Sequence, residues 1–142
     1  MQTNIYGTDE LAEQILESAE VWAVVGLGQD ETKPAFGVAK ILQKHGKKII
    51  PIHPRAEVVH GEKGYKTLAE AVADGHKIDV VDCFVAAKRV GQIVDEAIAL
   101  KLPTVWMQLE IIDEDAAKRA IDAQMQVIMN RCPAIEWRRL GK

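Results

Sequence analysis

Short apolar-rich runs alternate along the chain with longer stretches in which apolar residues return every three or four positions. The runs predict five strands: Val21–Val25, Lys48–Ile52, Ile78–Val85, Thr104–Leu109 and Gln126–Met129. The first of them has no polar position at all, as expected of a strand covered on both faces. The stretches between predict helices. Residues 8–19 place Leu11, Ile15 and Leu16 on one face, with Thr8 or Asp9 as N-cap. From Pro34 to about His45, Val38, Ile41 and Leu42 form the buried stripe while Lys40, Lys44 and Lys47 face water. Pro34 suits a first helical turn, and Gly46 suits the left-handed residue that ends one. An irregular stretch follows Arg55, then a short helix over Leu68–Ala73. Ala87 to Leu100 carries Val90, Ile93, Val94, Ala97 and Ile98 at helical spacing, and Asp113 caps a helix over Glu114–Gln124. The tail, residues 134–142, reads as a surface turn or strap.

Strands and helices alternating in this way predict a Rossmann-like, doubly wound α/β fold: a parallel five-stranded sheet with helices on both faces. One domain spans residues 1–142, with a core over about 8–133. In such sheets ligands sit beyond the carboxyl ends of the strands. That selects the loops Gly26–Gln29, His53–Arg55, Phe84–Ala87, Gln108–Glu110 and Asn130–Pro133.

Composition narrows the field. The 142 residues carry a net charge of −3, which gives no electrostatic case for nucleic acid or an anionic membrane. No apolar segment approaches the roughly 20 residues of a membrane span. The first residues have neither the basic start nor the apolar region of a signal peptide, so a cytoplasmic location is expected. The two cysteines suggest no disulfide framework. Cys83 reads as a core residue. Cys132 reads as packing, with a reactive thiol activated by Arg131 as the alternative. His45, His60 and His76 lack metal-ligand spacing and read as surface or capping residues; His53 has no paired carboxylate or nucleophile nearby. Trp106 reads as core, and Trp137 as either a self-packing strap or a dimer contact.

The chemistry concentrates in Val21–Arg55, which reads strand, glycine loop, helix, strand. Such a unit offers backbone N–H groups and the positive end of a helix dipole to an anion, most often a nucleotide pyrophosphate. The binding elements are Gly26, Leu27, Gly28 and Gln29, with the helix start Lys33, Pro34, Ala35, Phe36 and Gly37. A dinucleotide fingerprint would place a third glycine at Glu31 and an acidic residue at the end of the second strand, where His53, Pro54 and Arg55 stand. NAD is therefore disfavoured. Arg55 suits an additional ribose phosphate, which leaves NADP or coenzyme A, and Lys88 and Arg89 add positive charge. The phosphate loop of the P-loop hydrolases does not occur.

The segments VVGLG, KPAFGVAKILQKHGKKIIPIHPR, VDCFVAAKRV, PTVWMQLEI and VIMNRCPAIE, in that order, resemble the small stand-alone CoA-binding proteins. These are similar to the CoA-binding domain of the succinyl-CoA synthetase alpha subunit. The resemblance spans about Leu11 to Leu140. It implies a Rossmann fold that holds coenzyme A, or an acyl-CoA, through its ADP part. It places Gly26, Leu27, Gly28 and Gln29 against the pyrophosphate, Pro54 and Arg55 near the adenosine and its phosphate, and Phe84, Val85 and Gln108 at the rest of the pocket. Against the usual family pattern, Gly28 stands for Ser, His53 for Asn, Val85 for Arg, Glu110 for Gly and Asn130 for Asp. The Val85 change removes a phosphate contact, and Glu110 adds a negative charge. No catalytic centre is legible, and the synthetase's catalytic histidine belongs to a domain this chain lacks. The expectation is a binding protein acting as carrier, sensor or partner subunit of an enzyme, alone or as a homodimer. The alternatives are an NADP-dependent oxidoreductase or redox-sensing domain, and a scaffold with a degraded nucleotide pocket.

Overall fold

A computed structural model describes residues 2–142. Strands β1 (Val21–Val25), β2 (Lys48–Ile52), β3 (Val80–Cys83), β4 (Thr104–Met107) and β5 (Gln126–Met129) form one parallel sheet in the order β2-β1-β3-β4-β5. The helices are α1 (Asp9–Ser18), α2 (Pro34–Lys44), α3 (Leu68–Ala73), α4 (Ala87–Ala99), α5 (Glu114–Asp122) and α6 (Pro133–Arg139). Because every strand is covered twice, its alternate side chains enter two different cores. Ala23, Val25, Val81, Cys83, Val105 and Met107 pack with α3, α4 and α5. Trp22, Val24, Val80, Trp106 and Ile128 pack with α1, α2 and α6. This is the doubly wound fold that the apolar runs predict.

The register brings the strand ends level. Val25 pairs with Ile52 on one side and Cys83 on the other, Cys83 with Met107, and Met107 with Met129. The carboxyl ends of all five strands therefore lie in one row. β1 runs on to β2 in one direction, and the chain re-enters on the other side of β1 as β3. The switch point lies between those two strands.

The chain itself bonds part of both edges of the sheet. On β2, Pro51 has no N–H to offer, and its carbonyl accepts from the Tyr65 amide at 2.9 Å. On β5, the Gln2 side chain bonds both the N–H and the C=O of Val127, and the Met129 amide donates to the Tyr6 carbonyl.

Four expectations need correction. β3 begins at Val80 rather than Ile78 and stops at Cys83, because Phe84 makes the last ladder bond, to Val25 O at 2.8 Å, before the chain turns into α4. β4 stops at Met107, because the Ile111 amide bonds back to Gln108 O and Glu110 takes φ +67°. Lys47 is half-buried, and burial lowers its pKa. The tail is not a strap but α6: Pro133 opens it, and Trp137, only 4% exposed, anchors it. The dimer-contact reading of Trp137 falls with that burial. Among the described residues no helix is long and apolar enough to cross a membrane.

Candidate functional site

At the switch point the glycine loop meets the end of β3. Gly26 has φ +99°, its amide donates to Ile52 O at 2.8 Å, and a Cβ there would lie 2.6 Å from Phe84 O. Only glycine fits so close to a neighbouring strand. Gly28 is a different case. Its φ is ordinary, and a Cβ would meet the His53 ring at 3.2 Å and the Glu57 carboxylate at 3.4 Å. The loop then folds on itself. The Thr32 amide and hydroxyl donate to Asp30 Oδ1 at 3.0 and 2.6 Å, which holds the Asp30 carboxyl below its usual pKa. The chain arrives at Lys33, the N-cap of α2, whose side chain makes no capping bond.

The starts of α1 to α5 divide into two kinds, while α6 has no side-chain cap but carries Glu136 in its first turn. α1, α3 and α5 are capped by Thr8, Thr67 and Asp113 and carry acidic residues in their first turns. At α3 the closure is reciprocal, since Glu70 also accepts from the Lys66 amide. α2 and α4 have no side-chain cap and no acid in the first turn. These two follow β1 and β3, the strands of the switch point. Their first-turn N–H groups and positive dipole ends are left without compensation by the protein.

Both open onto one cleft of about 1160 Å³. Of the residues expected at the site, it gathers Gly26, Gly28, Gln29, Lys33, Pro34, Ala35, Pro54, Arg55, Phe84, Val85 and Gln108. Leu27, Phe36 and Gly37 are not in its lining. Leu27 is buried beneath the loop, Phe36 packs on His60 with ring centroids 4.3 Å apart, and Gly37 faces open space. The cleft also takes in His53, Glu57, Lys66, Thr67, Arg89, Ile93, Glu96, Glu110, Ile111 and Cys132. Arg89, Ile93 and Glu96 sit at i, i+4 and i+7 on α4, a face that helical spacing could have revealed. Lys88 is off that face. Glu57 and Lys66 come from the irregular stretch, where no periodicity points anywhere.

The cleft lining carries Lys33, Arg55, Lys66 and Arg89 together with Asp30, Glu57, Glu96 and Glu110, four charges of each sign. Side chains give no cationic surplus, so the pull on an anion rests on the two helix starts and on where the cations stand. One carboxylate sits within reach of the glycine loop: Glu57 Oε1 accepts from the Gln29 amide at 3.4 Å, while Gln29 Nε2 donates to Val58 O at 2.9 Å.

Cys132 borders the cleft, but its alternative role as an activated thiol fails. Burial raises its pKa. The Arg131 guanidinium that was to activate it is bonded to Asp9 at 2.7 Å and to Glu136 at 3.0 Å. Cys83 is fully buried, with its pKa raised further. Among the described residues no cluster of His, Cys, Asp and Glu could hold a metal ion.

Sheet order, level strand ends and a cleft between two open helix starts define a Rossmann-type domain. The chain matches the CoA binding domain family over residues 20–138, and it belongs to that family. It is 29% identical over 119 residues to the uncharacterized protein YneT of Bacillus subtilis (strain 168), covering 84% of this chain and 86% of that one. A hypothetical protein from Pyrococcus horikoshii OT3 superposes with a TM-score of 0.89 at 32% identity, covering 100% of this chain and 98% of that one. The acetyl-coenzyme A synthetase 1 of Ca. Korarchaeum cryptofilum, solved with phosphate and ADP, shares the fold. Its TM-score is 0.69 at 23% identity, over 80% of this chain and 26% of that protein.

Proposed function

We propose that this chain binds coenzyme A, or an acyl-CoA, in the switch-point cleft and contributes binding rather than bond-making chemistry. One observation carries the reading. In a member of the CoA binding domain family, the two helices left open at their starts are those that converge on the cleft. The pyrophosphate then lies against Gly28, Gln29 and the Lys33–Ala35 start of α2, where N–H groups and dipole act together. Pro54 and Arg55 hold the adenosine side, with Lys66 as a further cation for its ribose phosphate. The arm carrying the thiol runs past Phe84, Val85 and Gln108 toward Ile93 on α4. Such a module serves as a carrier, a sensor or the nucleotide-binding part of an enzyme whose reactive groups come from elsewhere.

A thermal-shift titration with CoA, acetyl-CoA, NAD and NADP tests this. Ligand at about 100 times its Kd adds ~2.7 kcal/mol, a shift of several degrees. Saturable stabilisation by CoA, abolished by Gly28→Glu, is the expected result. Stabilisation by NADP alone, or by none of the four, overturns the proposal.

A further inference from the structure

The floor of the cleft rests on a carboxyl group with no charge partner. Asp82 lies in β3, on the sheet face of Val24 and Trp106, with which it pairs in register. It is fully buried. Its Oδ1 accepts from Gln108 Nε2, and its Oδ2 has no hydrogen-bond partner. The titratable groups that feel its charge are thiols. Cys83 stands beside it on β3, and Cys132 stands in the loop after β5; both are held neutral by burial. Arg131, in the same loop, is turned away to Asp9 of α1 and Glu136 of α6. Burying an uncompensated carboxyl costs stability, and an apolar residue would fill the same space without that cost.

Gln108 gives the carboxyl a purpose. It is 4% exposed and lines the cleft. With its NH₂ group turned down to Asp82, its carbonyl oxygen points the other way. That oxygen has no protein donor among the described residues, yet it is not one of the fully buried unsatisfied atoms, so it reaches open space. A glutamine amide has nearly the same shape in either orientation, and a partner that only accepts selects one of them. An ionised partner also polarises the amide and strengthens its far end as an acceptor.

We propose that Asp82 is a positioning residue: it fixes the Gln108 amide so that the cleft floor presents a carbonyl acceptor, which takes an amide N–H from the neutral arm of the ligand. The ligand half rests on the coenzyme A reading, since that arm carries secondary amides and the ADP part does not lie there. The positioning half stands on the protein alone. Burial pushes Asp82 up to about 7, so its ionisation falls in an accessible pH range.

Two measurements on the full chain test the two halves separately. The first follows the side-chain ¹H–¹⁵N resonances of Gln108 from pH 5 to 9 without ligand. They are expected to move with the titration of Asp82 and to stay flat in Asp82→Asn. A flat wild-type profile, or one unchanged in the variant, overturns the positioning role whatever the ligand does. The second is calorimetry with CoA and with adenosine 3′,5′-bisphosphate, which lacks the arm. Asp82→Leu, checked for a native circular dichroism spectrum, is expected to weaken CoA about 3- to 10-fold and to leave the bisphosphate unchanged. Equal binding of CoA by wild type and Asp82→Leu overturns the ligand half. Failure of the wild type to bind CoA overturns that half and the functional reading together, while the resonance titration still decides the positioning.

Discussion

His45 and Trp137 stack face to face, with ring centroids 3.8 Å apart and planes 3° from parallel. His45 is the C-cap of α2 and Trp137 the buried centre of α6, so the last helix is fastened to the helix whose other end opens on the cleft. Removing the indole leaves a hole that neighbours fill only in part. Trp137→Ala should cost about 3–5 kcal/mol, and His45→Ala only about 0.5–1.5 kcal/mol. Urea denaturation of both variants checks the ranking; equal losses would mean that the stack, not the burial, holds α6.

Asp82 makes stability depend on pH in a direction opposite to that of most carboxylates. Its folded pKa of about 7 lies above the 3.8 of an exposed group. Between those values the folded protein holds a proton that the unfolded chain has released, so stability falls as pH rises through that window and stays low above it. Asp82→Asn should therefore be more stable than wild type at pH 8, by up to about 4 kcal/mol, with the gap closing near pH 4. Denaturation midpoints at the two pH values decide it; a variant less stable at pH 8 contradicts the burial account.

Two glycines two residues apart should respond differently to alanine. At Gly26 the positive φ and the 2.6 Å approach to Phe84 O leave no room, and the loss should exceed about 2 kcal/mol. At Gly28 the added methyl meets the His53 ring, a side chain that can shift, so stability should change by less than about 1 kcal/mol. Thermal melts of Gly26→Ala and Gly28→Ala make the comparison.

The thiols should be sluggish. Cys132 is only partly accessible with a pKa above the ordinary 9.0, and Cys83 is fully buried. Iodoacetamide labelling at pH 7 should modify Cys132 slowly, faster as pH rises, and leave Cys83 untouched until the protein unfolds. Rapid labelling of Cys132 at pH 7 would restore the activated thiol.

Local pattern carried most of the fold. Val21–Val25, Pro34 and Gly46 sit where their chemistry demands, and the strand–loop–helix–strand unit follows from them. Strand ends were harder, because the last ladder bond of β3 depends on Val25 across the sheet rather than on Phe84 or Val85. α6 was illegible for a similar reason: a short segment with mixed charge becomes a helix because Trp137 finds His45 about ninety residues away in sequence. At the site, the glycine loop was readable and Glu57 was not, since it comes from a loop without period. Asp82 looks like any polar interruption of a strand until the register sets it between Val24 and Trp106.

The covered edges of the sheet bear on how copies of this chain can meet. Gln2 and Tyr6 bond Val127 and Met129 on β5, and Tyr65 bonds the Pro51 carbonyl on β2. At those positions the chain itself takes the place that another strand would need. The segment before α1 acts as the guard of one border. Deleting residues 2–7 would uncover Val127 and Met129 and leave that border open to growth by cross-strand pairing.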